Sequence, residues 1–262
     1  MSQYESSSNK RSYPFSDSDN DEYERPTKYR SKSKSMSMSD SGSNYIVSRF
    51  PDKYDNLIFT AGDKEIHFNA GIDGETISRI KKLISIVVDE NKDRLVKFDK
   101  DGKVPPSRIN DPPITITYIV NSPGGSVHDV LDFVDYINLL RGKFHNIKFT
   151  SIITGMTASA GTTMCVIADT KLMTRFAFAM IHELSSGMPR TNYSKIVSYS
   201  DFIKIVHETL VKIYQEYRRI DSNDVEKTKE LEELLIKETW MSAEQYKHHG
   251  FIDEIISTYR QK

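Results

Sequence analysis

The sequence predicts an α/β fold whose strands are joined by helical crossover connections. Three observations carry this. Short β-branched apolar runs alternate with segments of helical period. The strand runs stop abruptly at glycine-containing breaks. The strand between residues 114 and 120 is apolar or threonine at nearly every position, as suits a parallel strand covered on both faces.

The elements follow in order. Residues 1–44 are serine-rich, mixed in charge and almost without core-forming aliphatics, so they read as a disordered tail ahead of a domain at 45–262. The basic stretch Lys28 to Lys34 fits a solvated tail better than a targeting or acidic-partner patch. Ile66 to Phe68 reads as a short strand. Ile77, Ile80, Leu83, Ile84 and Val87 then recur at helical spacing. Residues 92–113 are polar with Gly and Pro and read as a surface loop. Ile114 to Val120 is the buried strand, ended by Asn121-Ser122-Pro123-Gly124-Gly125. A helix from Val127 to Leu140 carries Val130, Leu131, Val134, Ile137 and Leu140 on one face. Ile147 to Ile153 is a second strand, which Gly155 is expected to break. A short helix spans Ala158 to Ala168, and Phe176 to Ile181 is a third strand. A long helix from Tyr193 to Arg219 has an apolar stripe from Ile196 to Tyr217. A further helix covers Val225 to Lys237.

Composition narrows the function. A formal charge of −1 over 262 residues argues against a dedicated nucleic-acid binder. Cys165 is the one cysteine, so no internal disulfide forms, which fits a reducing, cytoplasmic compartment. No apolar run approaches the roughly 20 residues needed to span a bilayer, and the N-terminus has no apolar region of a secretory signal. No histidine pair has a metal-like spacing with carboxylates, so neither a metal nor another cofactor is expected.

Two glycine-containing breaks lie at strand-to-helix junctions: Ser122-Pro123-Gly124-Gly125-Ser126 and Gly155-Met156-Thr157-Ala158-Ser159-Ala160-Gly161. A serine at a helix start gains from the positive helix end, and free backbone N–H groups there can hold an oxyanion. The alternative is a pair of ordinary tight turns with Ser159 as a helix cap. His182 follows the strand Phe178 to Ile181, at a strand edge where a general base for Ser159 can stand. Its alternative is a histidine bonded to backbone. His67, His128, His207, His248 and His249 are weaker candidates, by their placement in a strand, two helices and a polar turn.

These segments resemble the Clp protease proteolytic subunit family. Asn121 to Val127 is similar to its glycine-rich signature, Gly155 to Gly161 to its nucleophile segment, and Met180 to Leu184 to its histidine segment. Trp240 to Tyr246 with Gly250 to Ile255 is similar to its C-terminal segment. The matches occur in the family's order across about residues 55–258. The resemblance implies a Clp/crotonase-like fold of stacked βαβ units with a protruding handle helix. It implies Ser159 as nucleophile, His182 as base, and Gly125 and Ala160 as the oxyanion-hole donors. It also implies polypeptide substrates, a homo-oligomeric ring and an AAA+ unfoldase partner. The chain departs from the family at the third member of the triad: the ungapped position falls on Leu234, with Asp221, Asp224, Glu230, Glu232, Glu233 and Glu238 nearby, Glu238 closest to the matched segment, so that either a glutamate completes the triad or the pair is a dyad. The loop at 92–113 and the serine-rich tail also depart, which puts docking of the usual ATPase in doubt. Four functions compete: a serine endopeptidase, a catalytically silent ring subunit, an acyl-CoA enzyme of the same broad fold, and a Ser–Lys peptidase using Lys171. The first explains the most residues.

Overall fold

The computed structural model describes residues 53–257 apart from 188, 189, 219, 222 and 223. The expected disordered tail at 1–44 and the domain start at residue 45 lie outside the described residues.

The core is one sheet of eight strands. Strands β1 (Ile58–Thr60) and β2 (Glu65–Phe68) pair antiparallel at one edge. Strands β2, β3 (Ile114–Ser122), β4 (Ile147–Ala158) and β5 (Thr170–Thr174) then run parallel, and β8 (Glu254–Ile256) closes the far edge beside β5. Strand β6 (Phe178–Ile181) pairs parallel with the C-terminal part of β4 and antiparallel with β7 (Thr239–Ser242). This is the mixed α/β architecture expected of the Clp protease fold.

Helices α1 (Gly74–Glu90), α2 (Val127–Lys143) and α3 (Ala160–Val166) supply the crossovers. Asp73 starts α1 with a reciprocal cap: its carboxylate accepts from the Thr76 N–H, and the Thr76 hydroxyl accepts from the Asp73 N–H. The expected residues Ile77, Ile80, Leu83, Ile84 and Val87 are the buried face of α1. In β3, Ile114, Ile116, Tyr118 and Val120 are buried on one face and Thr117 and Ile119 on the other, so the continuous apolar run is covered on both sides.

Two strands depart from expectation. The break expected at Gly155 does not end β4, which continues to Ala158. Gly155 adopts φ 57°, and the β3–β4 register slips there from Val120↔Ile153 to Ser122↔Thr157. The glycine thus bends the strand between two partners: β5 beside Thr150 to Ile153, and β6 beside Met156 to Ala158. The third strand begins at Phe178 rather than Phe176, and β5 precedes it.

The long helix α4 (Tyr193–Tyr217) and α5 (Val225–Ile236) lie close to their expected limits. Every buried side chain of α4 falls between Val206 and Tyr214, so the N-terminal half stands off the core. Helix α6 (Ala243–His248) starts at a Ser242–Gln245 capping box; of the expected polar turn, His248 is its last residue and His249 its C-cap.

Candidate active site

The site forms where β4 hands over to α3. Ser159 occupies the junction at φ 54° and ψ −128°, a region that costs a residue with a side chain about 1–3 kcal/mol. Ser159 does hold the N-cap position of α3, but its side chain makes no capping bond there. The backbone of Ser159 is over-determined instead. Its N–H donates to the Met180 carbonyl at 2.8 Å, and its carbonyl accepts from the Thr162 N–H at 2.9 Å and the Thr162 hydroxyl at 2.6 Å. These bonds hold the strained turn and leave Oγ free to point elsewhere.

His182 comes to it through sheet pairing. Ala158 is paired with Met180 in the β4–β6 ladder, so the residues just past each strand end are neighbours. His182 Nε2 lies 2.7 Å from Ser159 Oγ, within hydrogen-bond reach although 23 residues away in sequence. Both side chains are half-buried.

Gly124 and Gly125 close the other side. Gly125 forms an isolated parallel bridge with Ile72, through Ile72 N–H to the Gly124 carbonyl at 2.9 Å and Ser126 N–H to the Ile72 carbonyl at 2.8 Å. In that pattern the flanking peptides make the bonds, and the Gly125 N–H is left over. A Cβ on Gly124 would lie 2.7 Å from Ser159 Cβ and 3.2 Å from the Ala160 nitrogen, and one on Gly125 would lie 2.2 Å from the Ile72 carbonyl oxygen. Only glycine allows this approach. Ala160 opens α3, where first-turn N–H groups have no intrahelical partner. Among the described residues neither the Gly125 nor the Ala160 N–H donates to protein.

Other expected candidates are placed elsewhere. Lys171 is buried in β5 and its Nζ donates to the Tyr217 carbonyl at 3.1 Å, so it does not join Ser159. His249 pairs with Glu230 at 2.6 Å, and His67 stacks on Phe59 beside Glu65. Leu234, the ungapped position of the third triad member, is an apolar residue of α5 packed against the core. Among the described residues no carboxylate lies within 4.0 Å of the His182 ring.

Three features depend on the fold and not on any one segment. Tyr214 of α4 is buried with its hydroxyl 2.8 Å from Thr162 Oγ1 and 3.2 Å from Thr163 Oγ1, which ties the long helix to the helix behind Ser159. Burial raises the pKa of that phenol, so it remains a neutral hydrogen-bonding group. Glu238 has φ 50° and sits one step beyond the last β6–β7 pair, Ile181↔Thr239, which brings its backbone opposite His182. Finally, a cavity of about 530 Å³ opens beside Ser159 and His182, bounded by α4 and the first turn of α2.

The site thus holds a serine within hydrogen-bond reach of a histidine, beside two N–H groups that donate to no described residue, on an α/β sheet. The family model for Clp protease matches residues 108–259, more than half of the chain. The chain is similar to the ATP-dependent Clp protease proteolytic subunit 1 of Chlamydia abortus, at 27% identity over 154 residues, covering 58% of this chain and 74% of that one. The corresponding subunit of Protochlamydia amoebophila is 24% identical over 156 residues, covering 58% and 70%. The ATP-dependent Clp protease proteolytic subunit of Streptococcus pyogenes is 32% identical over 149 residues, covering 55% and 69%. The chain belongs to the Clp protease family, a family of serine-type peptidases, as a divergent member.

Proposed function

We propose that this protein is a serine endopeptidase that cleaves polypeptides inside a ring of its own copies. The 2.7 Å approach of His182 Nε2 to Ser159 Oγ carries this reading. In this mechanism Ser159 Oγ attacks the scissile carbonyl while His182 takes its proton. The Gly125 and Ala160 N–H groups hold the oxyanion of the tetrahedral intermediate. His182 then protonates the leaving amine, and water releases the acyl group by the same steps in reverse order of partners.

Glu238 is the carboxylate proposed to orient His182. The ladder brings it opposite the histidine, and turning its exposed side chain inward would complete the triad. The relatives are named as proteolytic subunits of ATP-dependent proteases, which supports ring assembly and an ATP-driven unfoldase as partner. The single thiol, Cys165, is buried and desolvation raises its pKa, so it is a packing group and not a competing nucleophile.

The absence of a carboxylate within 4.0 Å of His182 among the described residues favours a second reading, a catalytically silent ring subunit. A fluorophosphonate probe separates the two. The endopeptidase reading expects the wild-type protein to be labelled on Ser159, with labelling lost in Ser159→Ala and strongly slowed in His182→Ala. Wild-type labelling no greater than that of Ser159→Ala would establish the silent subunit instead.

A further inference from the structure

The cavity beside Ser159 has a wall made almost wholly by one face of α4. Tyr199, Ile203, Val206, His207, Leu210 and Tyr214 line it, at the three- and four-residue steps of a helix face. Gly125 and Ala160 line the same cavity, beside Ser159. A substrate carbonyl held by those two N–H groups therefore directs the side chain on the acyl side of the cleaved bond into this cavity.

The wall is apolar in Ile203, Val206 and Leu210, so the polar groups on it decide what else fits. Most are already engaged. The Tyr214 hydroxyl is shared with Thr162 and Thr163. The Tyr199 hydroxyl pairs with Ser186 and donates to the Gly187 carbonyl. The His128 ring is exposed and stacks on Phe202 at the rim. His207 differs: it is half-buried on the wall and, among the described residues, no hydrogen bond to it is formed within the protein.

From this we infer that His207 sets a preference for glutamine on the acyl side of the cleaved bond; the inference rests on the peptidase reading of Ser159 and His182. A neutral imidazole offers a donor on one ring nitrogen and an acceptor on the other. A carboxamide offers both as well, so the pair forms in either tautomer. The two methylenes of glutamine match the apolar wall that leads to His207. A leucine side chain would cover the imidazole and take its nitrogens out of water without a partner, which costs free energy. A glutamate side chain only accepts, and it would bring its charge into a cavity that Glu183 also lines.

The test uses three fluorogenic peptides that differ only in carrying Gln, Leu or Glu at that position. Wild type is expected to favour Gln over Leu by about tenfold in kcat/KM, the size of one net hydrogen bond. His207→Leu should reverse the Gln-to-Leu ratio, and His207→Asn, which keeps a donor and an acceptor, should restore the preference for Gln. A ratio that His207→Leu does not move, or a wild type that favours Leu or Glu, overturns the inference. Probe labelling of the same preparations separates this from failure of the peptidase reading itself. The same peptides are also bound to Ser159→Ala and followed by fluorescence anisotropy, which reads the cavity without catalysis. There the Gln peptide should bind about tenfold tighter than the Leu peptide, and equal affinities overturn the inference whether or not the wild type is active.

Discussion

Among the described residues, two that are not glycine have positive φ: Ser159 and Glu238. They flank His182, one by a hydrogen bond and the other across the β6–β7 ladder. Such conformations cost about 1–3 kcal/mol and persist where surrounding bonds hold them, as the Met180 carbonyl and the Thr162 side chain hold Ser159. For Glu238 the anchor is its own N–H, which donates to the Leu235 carbonyl at 3.2 Å. If Glu238 orients His182, Glu238→Ala lowers kcat by on the order of 10³-fold or more with KM little changed. Glu238→Asp, which keeps the charge on a shorter arm, retains part of the rate. Steady-state peptide hydrolysis checks this, and Glu238→Ala turning over as fast as wild type would leave Ser159 and His182 as a dyad. Ser159 and His182 stand out in the sequence by their chemistry beside strand ends, whereas Gly125 and Ala160 enter only through the resemblance to the Clp protease family; the fold brings the four into one place. Glu238 is one of several nearby carboxylates in the sequence, the closest to the matched segment, and nothing there singles it out further because its standing depends on which backbone lies opposite His182.

Helices were the most readable elements, since a stripe such as Ile77 to Val87 repeats whatever lies around it. Strand β5 was missed because Thr170-Lys171-Leu172-Met173-Thr174 mixes charge with apolar residues. Its Lys171 is tolerated inside because the Tyr217 carbonyl accepts from it. Glycine weakens strands, so Gly155 reads as a stop from the sequence, whereas in the fold it allows the kink by which β4 reaches β6. The turn into β5 is fixed by Asp169, whose carboxylate accepts from the Phe149 N–H at 2.9 Å and from Arg141 of α2 at 3.1 Å. Burial raises the pKa of this carboxyl, but those donors outweigh it and hold the pKa below its usual value. Stability from Asp169 is therefore present above the ordinary aspartate range, near pH 4, and is lost as pH falls through the lower folded value. Asp169→Asn should destabilise the domain by about 1–2 kcal/mol at pH 7, with the difference shrinking in acid. Urea unfolding of both proteins at pH 7 and pH 3 measures it, and an equal gap at the two pH values would contradict the assignment.

At the scale of the whole molecule, α4 divides into a docked half and an undocked one. Tyr214 buries its ring and joins its hydroxyl to the helix behind Ser159, and Val206, Val211 and Ile213 are buried beside it. Toward the N-terminus, Ile196 is 47% exposed, Phe202 42% and Ile205 61%, on a helix that carries only Tyr199 and Ile203 half-buried before Val206. An apolar patch of this kind, raised away from the core, marks an association surface rather than a solvated face. The family is one of multi-subunit proteases, so a copy of this chain is the occupant proposed for that surface. The same helix lines the cavity beside Ser159, so assembly and substrate selection would share one element. The double variant Ile196→Glu/Ile205→Glu places charges on this half without touching the cavity wall. Native mass spectrometry should show a wild-type assembly of several copies that falls to smaller species in the variant, while circular dichroism keeps its helical signal. A wild type that is monomeric at micromolar concentration, or a variant that assembles as fully as wild type, would mean that this half of α4 does not hold the copies together. The first outcome would also remove the enclosed compartment from the proposed function, leaving Ser159 and His182 open to solvent on a single subunit.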